Sequence, residues 1–509
     1  MSSILIAWLA VLGASGLYWA LSRKDLARRL FIVVVSLFVG TSLVVSTFKE
    51  GRFGRSEPVL EADKAEMLLR FGTSMKVLET SFKSISSTSS GNWRDKDFHD
   101  EASGVLEEAI RKSPDSTALK VKLAIVLADS GKEDRKAPAI QLMKEVAARK
   151  SGKESALGRT LLDIYTGKGV VGEDLTTLQR NITGFLPQGW YRDAALMRLY
   201  KVSGDVVKYD RLVEDITDRG GKLWLHMLTV MLVGLGAALI GGITVLVQLF
   251  TMPRKIGRSE DEGDGPEAVP WDLKTVYVVL VFWLATQILV GGLAQSLVKS
   301  LGLLTSGALT AALATALIYI VSNGPGILYI YLIALKPRGI TLFDGLRLHK
   351  KVGSVGPVRL VLCGMATWCV AIPAVMLAYL LAAKVLGAQG SSNPIIALVL
   401  EAARSSNYAA TILFYLTLGV LAPLCEESLF RGFLYRSLRK RLGVGTALIV
   451  SAALFSVVHM DVGALVPLMV LGWLFGFVFE RTRSLLPAMV AHGMWNSGTF
   501  TLVILIFGS

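Results

Sequence analysis

The sequence predicts an all-α fold: a polytopic bundle of about ten transmembrane helices carrying one soluble helical domain. Three observations predict it. Over 509 residues, 52% are hydrophobic and the mean hydropathy is +0.52. With the 49 glycines added, that exceeds the apolar share of an ordinary soluble chain. The apolar residues gather in runs long enough to cross a hydrocarbon core about 30 Å thick. Arg and Lys gather at the ends of those runs, as the positive-inside rule requires. The net charge of +14 therefore reads as membrane topology, and no nucleic-acid partner is expected.

Residues 1–47 hold two apolar runs, 4–21 and 31–47, with Arg23, Lys24, Arg28 and Arg29 between them. No basic residue precedes the first run and no small-x-small cleavage site follows it. Both runs are expected to be anchor helices rather than a signal peptide. Residues 48–222 mix charges of both signs, and Leu106, Ile110, Leu119, Leu123, Val126 and Leu127 recur at helical spacing. Breaks at Ser113-Pro114-Asp115, Gly131, Gly152 and Gly167-Lys168-Gly169 divide this domain into short antiparallel helices, and 84–93 reads as a loop. The stretch 113–149 resembles in part a tetratricopeptide helix pair; an unrelated helical bundle is the equal alternative.

Residues 223–385 return to the membrane, with spans near 224–250, 276–297, 307–335 and 359–383. An acidic linker is expected at 259–270. The 307–335 run is one kinked span, because Asn323-Gly324-Pro325-Gly326 interrupts it and neither half crosses alone. Residues 386–509 add spans near 407–435, 445–460, 462–479 and 485–507. If the 23–29 loop is cytoplasmic, every second short loop is basic, and the opposite loops hold only Lys299, Lys384 and Arg404. That assignment puts 48–222 outside the cytoplasm. Cys363, Cys369 and Cys425 all lie in apolar runs, with no disulfide framework and no zinc-type cysteine pair.

The chemistry concentrates in Pro423-Leu424-Cys425-Glu426-Glu427-Ser428-Leu429-Phe430-Arg431. Ionisable groups at membrane depth are costly and usually face a bundle interior. Two of the five histidines, His459 and His492, lie in comparably apolar runs downstream. At about 1.5 Å per residue, Glu426, His459 and His492 sit roughly 15, 21 and 12 Å from the inner face, so three helices can bring polar groups to one level. Glu426 and Glu427 point about 100° apart. Glu427 and Arg431 stand at i,i+4 and can pair, which leaves Glu426 to face the histidines. His492 and Asn496 share an i,i+4 face, as do Phe455 and His459. The reading that follows has Glu426 and His459 deprotonating a water that attacks a peptide carbonyl. His492 and Asn496 then donate to the oxyanion. Structural alternatives weigh against each residue alone: a brace for Glu427–Arg431, a helix–helix hydrogen bond for a single histidine. A proton relay or proton-coupled transporter would also bury carboxylates and histidines, but would predict internal repeats.

Glu426-Glu427-x-x-x-Arg431, Phe455-x-x-x-His459 and His492-x-x-x-Asn496, in that order on successive helices, resemble the CPBP intramembrane proteases. That family includes the type II CAAX prenyl proteases and the bacteriocin-processing Abi proteins. The resemblance covers roughly 400–505 and implies a membrane endopeptidase, of metalloprotease class. It implies that Glu426 and His459 activate water, His492 and Asn496 bind the oxyanion, and Glu427 and Arg431 brace them, with Phe455 in support. Glu426, His459 and His492 would supply three zinc ligands with an open fourth position, although no His-Glu-x-x-His motif is present. Metal-independent water activation is the preferred alternative. The expected substrate is a membrane-associated peptide or protein, and the lipid bilayer is the expected surround. The 48–222 domain would recruit a protein partner. A catalytically silent scaffold or immunity protein is the competing reading. The expected location is the plasma (inner) membrane of a bacterium.

Overall fold

The computed structural model describes residues 62, 65–73, 98–149, 152–167, 175–251, 269–348, 356–386, 395–459, 461 and 463–507. The expected anchors at 4–21 and 31–47, the loop at 84–93 and nearly all of the linker at 259–270 lie outside the described residues. Among those residues every regular element is helical and no strand forms. The chain divides into two compact units, one built around 56–230 and one around 231–504.

The first unit is a set of short helices: α1 Phe98–Lys112, α2 Thr117–Asp129, α3 Glu133–Ala147, α4 Gly152–Thr166, α5 Leu175–Thr183 and α6 Trp190–Ser203. They start and stop where side-chain chemistry dictates. Ser116 caps α2 by accepting from the Leu119 N–H, one of the donors a helix start leaves unpaired. Gly131 and Gly204 take left-handed φ of 72° and 75° after α2 and α6, a conformation other residues adopt only at a cost. The helical spacing read from the sequence is the core stripe: Leu106, Leu119, Leu123, Val126 and Leu127 are buried and Ile110 packs against them. Only three residues join α2 to α3, so the two run antiparallel. A tetratricopeptide unit and an unrelated bundle would both contain such a hairpin.

α7, Val206–Thr251, is one helix of 46 residues. The expected boundary near 222 is a change of composition inside it, because no helix breaker strong enough to end it intervenes.

In the second unit, α8 Leu273–Thr286 continues through a π turn into α9 Gly292–Ser300. α10 Ala308–Tyr329 carries Pro325 in its interior and passes through a second π turn, Ile330–Leu335, as one span. α11 Leu342–Leu346, α12 Pro357–Leu386 and α13 Ile395–Arg404 follow. Then come α14 Tyr408–Leu416, a π turn Thr417–Leu421, α15 Ala422–Glu427, a π segment Ser428–Tyr435 and α16 Arg436–Val458. α17 Leu465–Thr482 and α18 Leu485–Phe507 complete the unit. Within the stretch Tyr408–Val458 the spans expected at 407–435 and 445–460 form two helices that fold back on each other, with Ser451 Oγ 3.3 Å from the Phe430 carbonyl. The turn between them is at Gly443 (φ 73°, ψ 173°), a backbone state open to glycine. Among the described residues six helices are long and apolar enough to cross a membrane. The protein is an all-α integral membrane helix bundle.

Packing here relies on small residues and polar contacts, as lipid-facing helices require. A Cβ on Gly364 would stand 2.7 Å from the Pro487 carbonyl oxygen, and one on Gly472 would stand 3.0 Å from the Ala452 Cα. Gln287 donates to Asn323 across 2.6 Å, and the Thr286 and Tyr329 hydroxyls meet at 2.8 Å. The buried cluster around 429–435 includes Trp271, Trp283, Leu335, Phe455, Phe479 and Leu485. It surrounds the helical stretch that bears the Glu pair.

Candidate active site

Five elements build the site: α15 with the π segment after it, the end of α16, α18, α17 and α10. Glu427 is fully buried and so is Arg431. Arg431 donates to Glu427 Oε1 at 2.8 Å and to the Gly472 carbonyl at 3.1 Å. Its guanidinium lies 4.3 Å from the Phe455 ring centroid, 5.5 Å from Phe475 and 5.9 Å from Phe430. A cation here is held by one carboxylate, one carbonyl and three aromatic faces. The i,i+4 pairing expected from the spacing is thus formed, although it runs into a π segment.

Glu427 has a second partner that the spacing did not reveal. His492 Nδ1 lies 2.8 Å from the same Oε1. Arg431 already donates to that oxygen, which is an acceptor, so Nδ1 carries the hydrogen and Nε2 is turned to the other side. The ring stacks on Phe475, 5.1 Å between centroids at 18°. His459 is fixed similarly. Its Nδ1 lies 2.7 Å from the Phe455 carbonyl, which can only accept, so the neutral ring presents Nε2 as a lone pair. Phe455 meets His459 edge-on at 4.7 Å and His492 at 5.9 Å, which gives the expected supporting residue its physical role.

Both free imidazole nitrogens face one atom. Glu426 Oε2 is 3.7 Å from His459 Nε2 and 3.9 Å from His492 Nε2. Neither distance is a hydrogen bond; both suit a bridging water. Oε2 is buried and has no hydrogen-bond partner in the protein, whereas Oε1 accepts from the Tyr319 hydroxyl at 3.0 Å. Tyr319, on α10, is a site residue the sequence reading missed. Its one available signal was a phenol within an apolar run, a group that usually finds a partner when buried.

His459 is not inside a transmembrane helix but caps the end of α16. Its side chain is 30% exposed, against 6% for His492 and 16% for Glu426, so the cleft opens on the His459 side. Asn496 lies one turn beyond His492 on α18, as expected. Its amide donates to the Leu418 carbonyl at 2.8 Å, in the π turn Thr417–Leu421; the second amide hydrogen remains for another acceptor. Backbone meets backbone at this crossing: a Cβ on Gly493 would stand 2.3 Å from the Gly419 carbonyl oxygen.

The zinc reading of Glu426, His459 and His492 gains no support from this arrangement. Among the described residues no group of three His, Cys, Asp or Glu side chains is placed to hold a metal ion.

Residues 408–498 match the family model described as type II CAAX prenyl endopeptidase Rce1-like. A Bacillus subtilis protein titled "Putative membrane peptidase YdiL" is 27% identical over 95 residues. That is 19% of this chain and 38% of the relative, so the likeness spans well under half of either protein. Both findings support the resemblance carried by Glu426-Glu427-x-x-x-Arg431, Phe455-x-x-x-His459 and His492-x-x-x-Asn496, for that stretch of the chain. No solved structure matches the chain.

Proposed function

We propose that this protein is an intramembrane endopeptidase that hydrolyses peptide bonds of membrane-associated proteins or peptides. One observation carries the reading: Glu426 Oε2 faces His459 Nε2 and His492 Nε2 at 3.7 and 3.9 Å, with the His459 side chain partly exposed. A water lodged there gives its proton to Glu426 while His459 Nε2 accepts its other hydrogen, and the oxygen attacks a peptide carbonyl. Tyr319 holds Oε1, so the carboxylate presents Oε2 to the water. The second Asn496 amide hydrogen donates to the developing oxyanion. His492 Nδ1 is committed to Glu427, so His492 joins the oxyanion from Nε2 only in its doubly protonated form. Glu426 then returns its proton to the leaving amine. Glu427 and Arg431 hold the His492 ring and the helix in place.

Two imidazole nitrogens and a carboxylate are donors of the type zinc takes, but Glu426, His459 and His492 are not placed as a metal-holding group, and the chelator arm of the cleavage experiment tests for zinc. No step above passes through it. The domain at 48–222 is proposed as an extracytoplasmic recruitment module for a protein partner or substrate, and the site of action as a bacterial plasma membrane. Deleting 50–205 while keeping α7 whole tests recruitment; unchanged substrate choice would reject it.

The central test is cleavage of a peptide library by purified protein beside Glu426→Ala, each with and without chelator. Product should fall about 10²–10⁴-fold in the variant. Equal product from both proteins rejects the enzyme in favour of a silent scaffold. Loss of product with chelator alone assigns the metal a role.

A further inference from the structure

Further along the same helical stretch, beyond the Glu pair, lies a second polar cavity of about 230 Å³. Its walls come from the start of α16, the end of α17 and the turn after α11. Five cations line it, Arg347, Arg436, Arg439, Lys440 and Arg483, against one carboxylate, Glu480. Glu480 is saturated. Arg439 donates to both its oxygens at 2.7–2.9 Å, Tyr435 donates at 2.8 Å and Arg483 at 3.3 Å. Arg439 and Glu480 are mostly buried, with 15% and 11% of their side-chain surface exposed.

That geometry fixes guanidinium groups at the cavity wall rather than leaving them to sweep through solvent. Glu480 uses its charge to hold Arg439 and Arg483 in position, and the lining keeps a surplus of positive charge in a concave space. Fields of one sign are focused by such a shape. Burial first, and then the neighbouring charges of Arg439 and Arg347, hold Arg483 below the ordinary guanidinium range against the pull of Glu480. Arg436 stacks over Trp271, 5.5 Å from the ring centroid, and Trp271 precedes α8 at the end of an apolar span. Both side chains are buried and pack the cavity wall; the level of the cavity is set by the end of α17, where the apolar span Leu465–Thr482 stops.

We propose that this cavity binds a phosphate-bearing anion, with Arg436, Arg439, Lys440, Arg347 and Arg483 as its donors. Basic pockets between transmembrane helices at the headgroup level take phosphodiester groups for this reason, and guanidinium forks match phosphate oxygens in pairs. The site is separate from the Glu426 pocket and does not depend on the proposed hydrolysis.

The test uses the full chain purified in neutral detergent. Its thermal unfolding is followed against short-chain phosphatidylglycerol, short-chain phosphatidylcholine and inorganic phosphate, at constant ionic strength. Phosphatidylglycerol should raise the midpoint by about 3 °C at a hundredfold excess over its dissociation constant, and phosphatidylcholine should not. Lys440→Gln with Arg347→Gln should weaken the affinity about 25-fold, about fivefold for each cation, so that the shift at the same lipid concentration falls about threefold. A phosphate response matching that of phosphatidylglycerol supports the site with a soluble anion as occupant; a response to phosphatidylglycerol alone supports it with lipid. Equal responses to the two lipids, no response to any of the three, or an unchanged response in the double variant would overturn it.

Discussion

Glu426 and Glu427 are neighbours in sequence and opposites in surroundings. Glu427 is sealed off, its Oε1 pinned by Arg431 and His492, whereas Glu426 turns its Oε2 towards both imidazole Nε2 atoms, at 3.7 and 3.9 Å. Removing the cation should therefore damage structure: Arg431→Met leaves a buried carboxylate uncompensated and should cost about 3–5 kcal/mol, read as a lower unfolding midpoint. Tyr319→Phe should behave differently. It removes one hydrogen bond to Glu426 Oε1, so turnover should fall about tenfold for a bond worth about 1.5 kcal/mol, with the unfolding midpoint little changed. A parallel fall in both would make Tyr319 a structural residue. The Glu427–Arg431 pair was legible because both residues lie on one helix at i,i+4. The His492–Glu427 and Tyr319–Glu426 contacts join residues 65 and 107 positions apart, and spacing carries no information over such separations.

At the scale of elements, periodicity identified the helices but not their winding. The π segments Thr417–Leu421 and Ser428–Tyr435 flank α15, and neither has a composition that distinguishes it from α-helix. π turns of this kind often accompany functional sites. The first of them provides the Leu418 carbonyl for Asn496 and lets Gly419 meet Gly493. The added methyl in Gly493→Ala would stand 2.3 Å from the Gly419 carbonyl oxygen. It should force α18 away, costing about 1–3 kcal/mol and lowering turnover, since His492 and Asn496 flank that position. Circular dichroism melts and peptide cleavage read the two effects; an Ala variant unchanged in both would mean the helices have room to spare.

Across the molecule, the membrane class was plain from hydropathy, and the helical unit around 56–230 from apolar residues at helical spacing. Less legible was where one helix ends and the next begins. Gly443 turns the backbone between the two spans expected at 407–435 and 445–460, and the helices on either side fold back on each other. α7 carries charged and apolar sequence without a break. Orientation can be measured directly. In a chain with its three native cysteines replaced, Ser405→Cys and Glu133→Cys should react with an impermeant maleimide on intact cells. Lys336→Cys should react only after permeabilisation; the reverse pattern would invert the topology. The widened turns around the Glu pair also determine how the chain tolerates a change in length. A π turn holds one residue more than the α turn it replaces. Removing one residue from 428–435 lets the backbone wind back to ordinary pitch while the segments above and below keep their facing. Removing one from the regular winding at 445–458 instead swings everything beyond it by about 100°, carrying His459 away from the carboxylate it faces.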